Sequence, residues 1–260
     1  MPERSSWTTS PSRTWIYDRS PTLSRTGLRA PRHGRPRAAG WQELVPERTR
    51  PRAPPKPATS SPPRCSPPAS TANRCERGRV ELTFDDGPDV YTPQILEVLR
   101  AHDVRAVFYV TGEKAAARPD LVRAIAADGH RVENHSWNHP YLTDLSAAQV
   151  REQLANTSAA VADAGAPLPT LFRPPFGATD ATVEAQARAL GMRVVRWTID
   201  THDWRGRRPD EIAATVLTRA EPGAVVLMHD GVARSAATVR ALPTIIRGLR
   251  NRGFCTALPG

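Results

Sequence analysis

The sequence lacks any apolar run of membrane-spanning length, and it has neither an apolar signal-peptide core nor a twin-arginine pair near Met1. A transmembrane helix needs about 20 predominantly apolar residues in a row. A secretory signal peptide needs an apolar stretch of roughly 7–15 residues. We therefore predict no membrane span, and the sequence carries no recognisable export signal.

Cysteine is scarce: the chain has three, at Cys65, Cys75 and Cys255. Cys75 comes just before the first predicted strand and Cys255 follows close to the end of the chain, so the pair flanks one domain. Such a pair is well placed for a bridge in an oxidising compartment. Because the cysteine count is odd, two unrelated free thiols stay possible. We favour the Cys75–Cys255 bridge.

Acidic residues are scarce only at the start of the chain. The whole sequence has 36 basic and 26 acidic side chains, a formal charge of +10. Residues 1–75 hold 14 of the basic and four of the acidic ones, so they account for the entire excess. The remainder is neutral, and the high isoelectric point says little about it.

Residues 1–74 also contain 14 of the 26 prolines and show no helical or strand periodicity. Such a composition cannot bury enough apolar surface to offset the entropy of ordering, so we predict that this basic Pro/Arg/Ser-rich segment is disordered. We favour a solvated extension without function. Two alternatives stay open: a segment that binds nucleic acid or anionic wall polymers, and a misassigned start or remnant of an export region.

Residues 75–260 alternate short apolar strands with amphipathic helices, which predicts a single α/β domain with parallel strands. The predicted strands are 80–84, 106–110, 131–134, 170–173, 193–198, 224–228 and 254–257. The predicted helices are 93–103, 119–129, 146–165, 181–191, 209–220 and 238–253, of which three begin near a proline and four end at a glycine.

Reactive side chains occur where different strands end. They are Asp85, His135, Arg173, Asp200 and His229. The carboxyl ends of strands converge on one face of a β/α barrel, whereas an open sheet spreads them along an edge. We therefore predict a distorted (β/α) barrel with about seven parallel strands.

The stretch ELTFDDGPDV places Asp85 next to Asp86, two like charges that repel each other in a buried site. The stretch HSWNH offers His135 and His139 at i and i+4, a spacing at which both imidazoles face one side of a helical turn. Two histidines and one aspartate make a three-ligand catalytic zinc site, and the metal charge would relieve the repulsion. Taken alone, the histidine pair is equally consistent with a polar surface.

Three further motifs lie at predicted strand ends. RPPFG holds Arg173 rigidly before two prolines, where it could keep a carboxylate ionised. DTHDW offers Trp204 as a sugar-stacking surface or as an ordinary core aromatic. LMHD delivers His229 and Asp230. Each motif alone is more often structural, but their convergence on one face favours an active site.

Together, TFDDGP, HSWNH, RPPFG, DTHDW and LMHD resemble, in order and spacing, the motifs of the polysaccharide deacetylase family, the family-four carbohydrate esterases with a NodB homology domain. The resemblance covers 75–260, and the flanking stretches CERGRVELTFDDGP and RGFC look like those of secreted actinobacterial members, including acetylxylan esterases, in which equivalent cysteines close the domain. It implies a NodB-like barrel.

The resemblance also implies roles for individual residues. The metal ligands would be Asp86, His135 and His139. Asp85 would be the general base, oriented and kept ionised by Arg173.

The remaining implied roles concern the leaving group and the substrate. His229 would be the general acid, tuned by Asp200. The main-chain N–H of Phe176, where relatives often have tyrosine, would bind the oxyanion. Trp204 and Leu227 would shape the groove and the acetyl pocket.

The implied activity is removal of acetyl groups from a polysaccharide by water activated on one divalent metal, Zn²⁺ or else Co²⁺. The substrate stays open among chitin oligomers, peptidoglycan N-acetylglucosamine and O-acetylated xylan. We expect a monomer that is secreted or associated with the cell wall and whose catalytic domain does not bind nucleic acid. The alternative is an inactive carbohydrate-binding member of the same fold.

Overall fold

The structure, a computed structural model, describes residues 75–260. The predicted disorder of residues 1–74 and the state of Cys65 lie outside the described residues. Within the described part, no helix is both long and apolar enough to cross a membrane.

Eight parallel strands form one curled sheet that lies at the centre of the domain. The strands are β1 (Arg79–Asp85), β2 (Val107–Val110), β3 (Arg131–Asn134), β4 (Leu171–Phe172), β5 (Arg193–Val194), β6 (Ile199–Asp200), β7 (Ala224–His229) and β8 (Cys255–Thr256). Their order is β5-β4-β3-β2-β1-β7-β6, and β8 pairs with the start of β1. The distorted (β/α) barrel predicted from the sequence is confirmed.

The two edges of the sheet are consecutive in the chain, which explains why the sheet curls. Only residues 195–198 connect β5 at one edge with β6 at the other. Four residues cannot reach farther than roughly 18 Å, even fully extended, so the edges must lie near each other. The prediction of one strand over 193–198 is wrong. The N–H of Val195 donates to Phe172 beside β5, whereas the N–H of Thr198 donates to Val225 in β7.

Seven α-helices connect the strands. They are α1 (Thr92–Ala101), α2 (Gly112–Ala117), α3 (Pro119–Ala127), α4 (Ala147–Asp163), α5 (Ala181–Ala189), α6 (Pro209–Arg219) and α7 (Ala236–Asn251). Short 3₁₀ turns span Leu142–Asp144, Pro175–Gly177 and Asp203–Arg205. Six helices agree with the predicted ones to within a turn. Helix α2 was not predicted, because its six residues, GEKAAA, are too few to show helical periodicity.

The local start signals explain where the helices begin. Proline occupies the first turn of α1, α3 and α6, where its missing N–H costs no hydrogen bond. Ser146 caps α4: its hydroxyl accepts from the N–H of Gln149, whose side chain accepts from the N–H of Ser146. This is a capping box, and it fixes the chain that follows the HSWNH motif.

The core lies between the sheet and the helices, and β1 runs through its middle. Val80, Leu82 and Phe84 on one face of β1 are fully buried. They pack with apolar side chains of α1, α6 and α7. Because β1 is flanked by β2 and β7, its last residues are held rigidly at the carboxyl end of the sheet.

Cys75 and Cys255 form a disulfide, so the predicted bridge is present. It joins the residue at the start of the described chain to β8, which pairs with Arg79 and Val80 of β1. The bridge closes a loop with a sequence separation of 180 residues. A loop of this length gives a disulfide close to its largest effect on the entropy of the unfolded chain.

We expect removal of this disulfide by a Cys75→Ser/Cys255→Ser substitution to lower the Tm by roughly 5–15 °C, because the unfolded chain gains entropy. Thermal unfolding followed by circular dichroism would measure the shift. Reductant should shift the parent protein in the same direction and leave the double variant unaffected. Equal Tm values for the two proteins would contradict the expectation.

Candidate active site

Side chains from the carboxyl ends of the strands meet at one open cavity with a volume of about 400 Å³. Its lining residues are Asp85, Asp86, His135, His139, Phe176, Trp197, Asp200, Trp204, Leu227, His229 and Val232. The cavity thus brings together four of the five predicted strand-end residues. The fifth, Arg173, lies fully buried behind Asp85.

Asp86, His135 and His139 form a cluster suited to a metal ion. One ligand atom from each residue lies within 4.8 Å of the others. Asp86 Oδ1 lies 3.4 Å from Nε2 of both histidines. Asp86 has a positive φ of 71°. His135 Nε2 also lies 3.8 Å from Oδ2 of Asp85, so this imidazole faces both adjacent carboxylates.

The HSWNH stretch does not form the helical turn that its spacing suggested. Residues 135–139 form an irregular bend in which Ser136 and His139 both have positive φ. The amide of Asn134 holds the bend, since its oxygen accepts from the N–H of Ser136. The two imidazoles therefore converge because of a strained loop and not because of helical periodicity.

The hydrogen bonds around the cluster orient its ligand atoms. His135 donates from Nδ1 to the carbonyl oxygen of Arg173 at 2.7 Å, which leaves Nε2 facing Asp86. A metal-ligating histidine commonly carries such a bond on its other nitrogen. The His139 ring packs edge-on against Phe176, with the centroids 4.5 Å apart.

The negative charges of Asp85 and Asp86 favour a positive charge beside them. Burial opposes the charged form of Asp86, but the hydrogen bond and charge of His135 outweigh burial and hold the pKa of Asp86 below its usual range. Burial lowers the pKa of His135, and the charges of Asp85 and Asp86 raise it to a net higher value. Burial and the charge of His135 lower the pKa of His139. Two nitrogens and one carboxylate oxygen fit a divalent cation such as Zn²⁺.

Asp85 lies closest to Arg173, which binds the carboxylate oxygen that does not face His135. The guanidinium donates to Asp85 Oδ1 at 2.7 Å, and both groups are almost completely buried. The same guanidinium donates to the Thr83 hydroxyl and lies 4.0 Å from the ring centroid of Tyr109. This charge-assisted bond fixes the Asp85 carboxylate on the wall of the cavity.

Asp203, and not Asp200, is the partner of His229, so the predicted pairing is wrong. His229 donates from Nδ1 to Asp203 Oδ1 at 2.7 Å and from its main-chain N–H to Oδ2 at 2.8 Å. The Thr238 hydroxyl also donates to Oδ2. Asp200 instead lies 2.9 Å from Nδ1 of His202. His202 has a φ of 54°, and this left-handed turn directs the second aspartate of DTHDW, and not the first, towards β7.

The Asp203 contact determines the charge of His229. Burial lowers the pKa of this imidazole, but the hydrogen bond and charge of Asp203, with smaller effects of Asp85 and Asp86, raise it to about 9. His229 is therefore protonated at neutral pH, and its Nε2–H is available to the cavity. An imidazolium at this position can donate a proton to a bound molecule.

Aromatic side chains form the rim of the cavity. Phe176 and Trp204 are 53% and 44% exposed, which is unusual for large apolar side chains. Tyr141 stacks on Phe176 at a centroid distance of 4.0 Å. Trp197, which the sequence analysis missed, lies in the connection between β5 and β6. Rings with exposed faces are suited to stacking against sugars.

Phe176 also offers its main chain. Its φ of 59° bends the RPPFG segment. Within residues 75–260, the N–H of Phe176 donates no hydrogen bond to a main-chain carbonyl of a turn or loop. A main-chain N–H that is not used in the fold and lies on a residue lining the cavity is available to a bound anion or oxyanion.

Asp230 does not reach the cavity, although it follows His229. It is fully buried and accepts a hydrogen bond from the Thr92 hydroxyl. Burial raises its pKa to about 7. Gly87 packs so closely on it that a Cβ there would lie 2.2 Å from Asp230 Oδ2. Asp230 therefore supports the DDGP turn from behind.

Comparisons with known proteins agree with the motifs. Residues 72–195 match the family described as polysaccharide deacetylase. The chain is 40% identical over 177 residues to a peptidoglycan-N-acetylglucosamine deacetylase of Listeria monocytogenes, covering 68% of this chain and 37% of that protein. It is 39% identical over 188 residues to a chitooligosaccharide deacetylase of Bradyrhizobium, covering 67% of this chain and 86% of that one.

The fold agrees with a solved structure as well. A family 4 carbohydrate esterase from Streptomyces lividans, in complex with acetate, is 40% identical and superimposes with a TM-score of 0.66. The match covers 70% of this chain and 92% of that one. The chain thus spans little more than a third of the Listeria relative and most of the other two.

Proposed function

The chain belongs to the polysaccharide deacetylase family, and on this premise we propose that it is a metal-dependent hydrolase that removes acetyl groups from a polysaccharide. The observation that supports this most is the cavity itself, whose lining includes the cluster of Asp86, His135 and His139, the Asp85 that Arg173 binds, and the His229 that Asp203 binds. A hydrolase that cleaves an acetyl bond needs a base, an acid and an electrophile in one place.

We propose that Asp86, His135 and His139 hold the metal, Zn²⁺ or else Co²⁺. A divalent ion bound there supplies a Lewis acid, which polarises a carbonyl oxygen and makes water more acidic. The chain's contribution is orientation, since the carbonyl of Arg173 fixes the His135 ring. In the proposed scheme, Asp85 accepts the proton of the attacking water while Arg173 holds its carboxylate in place.

The remaining groups act on the oxyanion and on the leaving group. We propose that the main-chain N–H of Phe176 donates to the acetyl oxygen as it becomes negative, a contact typically worth about 3 kcal/mol. His229 then gives its Nε2 proton to the departing nitrogen or oxygen of the sugar. Leu227 closes the side of the cavity where the acetyl methyl would lie, and Trp204 stacks against a sugar ring.

The proposed substrates are N-acetylglucosamine units of peptidoglycan or of chitin oligomers, with O-acetyl groups of xylan as the alternative. We also propose that the protein acts outside the cytoplasm, as the Cys75–Cys255 bridge favours. An inactive carbohydrate-binding member of the family would be expected to lack a metal ligand, the base or the acid. The presence of all three favours an enzyme.

Removal of the metal tests the proposal. We expect acetate release from chitooligosaccharides, peptidoglycan or acetylated xylan to fall at least about tenfold after chelation, because the carbonyl is no longer polarised. It should return when Zn²⁺ or Co²⁺ is added. Acetate release would be measured enzymatically on all three polymers. Undiminished activity in fully metal-stripped protein would contradict the mechanism, and inactivity of the Zn²⁺-loaded protein on every polymer would favour the binding alternative.

A further inference from the structure

A second cavity lies at the β5 edge of the sheet. Its volume is about 570 Å³, and its lining residues are Glu184, Arg188, Met192, Arg193, Val194 and Arg196. We call the three arginines of this cavity, Arg188, Arg193 and Arg196, the β5 arginine cluster. None of the roles proposed above involves it.

No ion pair or hydrogen bond of a side chain ties the β5 arginine cluster to the rest of the described fold, although the charge of Arg193 partly offsets the rise that burial causes in the pKa of Glu81. All three residues are exposed. Within residues 75–260, none of the three guanidinium groups forms an ion pair or donates a hydrogen bond, whereas Arg100, Arg131 and Arg173 each pair with a carboxylate. Glu184 is the only acidic residue among the lining residues, so the cavity keeps a net positive charge. This is a local concentration, because residues 76–260 as a whole are neutral.

The cluster and the proposed active site include residues that are adjacent in the chain. Arg196 lines the second cavity and the next residue, Trp197, lines the first, so both cavities border the same segment of the chain. The carbonyl of Arg196 accepts from Arg173 at 3.4 Å, and the Trp197 ring lies 5.8 Å from the same guanidinium. The connection between β5 and β6 is therefore a shared wall of both cavities.

We propose that the β5 arginine cluster binds anionic groups, carboxylates or phosphates, of the polysaccharide whose acetylated unit occupies the first cavity. Planar guanidinium groups bind both kinds of anion in a bidentate manner. The partly exposed Val194 adds an apolar contact for the sugar ring that carries the charge. The chain's own segment 1–74 is a poor occupant of this cavity. Its 14 basic and four acidic residues give it a net positive charge, the same sign as the β5 arginine cluster.

The proposal deepens the proposed function, because it selects anionic acetylated polymers over neutral ones. Peptidoglycan, with the free carboxylates of its peptides, would then be a better substrate than a chitin oligomer. An anionic group bound beside Trp197 would also fix the position of the polymer relative to the metal site.

The test compares two variants of the full chain that carry the same net charge. The cluster variant is Arg188→Gln/Arg193→Gln/Arg196→Gln. The control variant is Arg151→Gln/Arg219→Gln/Arg240→Gln, which removes three exposed arginines that line neither cavity. Both keep the basic N-terminal segment, so its contribution to binding cancels. Affinity electrophoresis would measure Kd for polygalacturonate, a carboxylate polymer, and for polyphosphate.

We expect the cluster variant to bind at least one of the two polymers about tenfold more weakly than the control variant, with a smaller dependence on salt. The polymer that is affected identifies the anionic group. Equal binding of both polymers by the two variants would overturn the proposal. A short DNA duplex would be measured beside the two polymers. If the cluster variant bound only the duplex more weakly, the assignment to a polysaccharide would be overturned.

Activity provides a second measurement. We expect kcat/KM on peptidoglycan to fall about tenfold in the cluster variant relative to the control variant, while kcat/KM on chitooligosaccharides stays within about twofold. An equal fall on both substrates would contradict a role in selecting charge. If wild-type protein released no acetate at all, the proposed function would fail, but the binding comparison would still test the cluster.

Discussion

Replacement of Asp85 with asparagine is expected to lower kcat by about 10²- to 10⁴-fold and to leave the metal content unchanged. Asparagine cannot accept a proton from water at neutral pH, but it can still accept the hydrogen bond from Arg173 through its amide oxygen. The metal ligands lie on other side chains, so their geometry should persist. Acetate release and metal analysis by mass spectrometry would measure the two effects separately.

The matched control for this variant is its neighbour, Asp86→Asn. Asp86 has no bond to Arg173, and its oxygen lies 3.4 Å from Nε2 of both histidines. We therefore expect Asp86→Asn to lose metal and activity together, as His139→Ala should. If Asp85→Asn turned over normally, Asp85 would not be the base. If it lost its metal, Asp85 would be a ligand.

Replacement of Asp203 with asparagine is expected to lower activity by about tenfold or more at pH 8 and to have a smaller effect at pH 6. Asp203 raises the pKa of His229, whose value is about 9 in the intact protein. A protonated acid is fully present below this pKa and is lost as the pH rises through about 9. Without the carboxylate, burial lowers the pKa of the imidazole and only the charges of Asp85 and Asp86 raise it, so the pKa should fall well below 9 and much less imidazolium should remain at pH 8.

The control here is Asp200→Asn, which changes the other aspartate of the same motif. Asp200 lines the cavity but contacts His202 and not His229. The alkaline limb of its profile of kcat/KM against pH should therefore stay near pH 9. Because Asp203 also accepts from Thr238, thermal unfolding of both variants would separate instability from the change in pKa. If the alkaline limb shifted in Asp200→Asn and stayed near pH 9 in Asp203→Asn, then Asp200, and not Asp203, would be the residue that raises the pKa of His229.

The sequence predicted the fold well wherever a strand or helix was long enough to show its period. The seven residues of β1 and the 17 of α4 are examples. The failures were all short elements: α2 has six residues, and β5 and β6 have two each. The two-residue strands β4 and β8 do lie within predicted strands. A crossing between the two edges of a sheet looks, in sequence, like one continuous apolar strand. Only tertiary hydrogen bonds distinguish the two.

The site was predictable in its residue types and less so in its pairings. The sequence placed Asp85, His135, Arg173 and His229 at strand ends, and the structure brings them together. It did not distinguish Asp200 from Asp203, because the choice depends on one left-handed residue, His202. Trp197 was missed because its position depends on the crossing between β5 and β6.

The bridge between Cys75 and Cys255 has a geometric consequence for how the protein could be attached to other molecules. Both residues lie beside the start of β1, with Cα atoms 5.1 Å apart, whereas Asp85 ends the same strand. Six strand residues of about 3.3 Å each separate the two levels by roughly 20 Å. A tag, a surface or a fused domain joined at residue 75 would thus be attached at the end of the domain opposite the cavity mouth. The active site would then face away from the attachment point and towards an insoluble polymer.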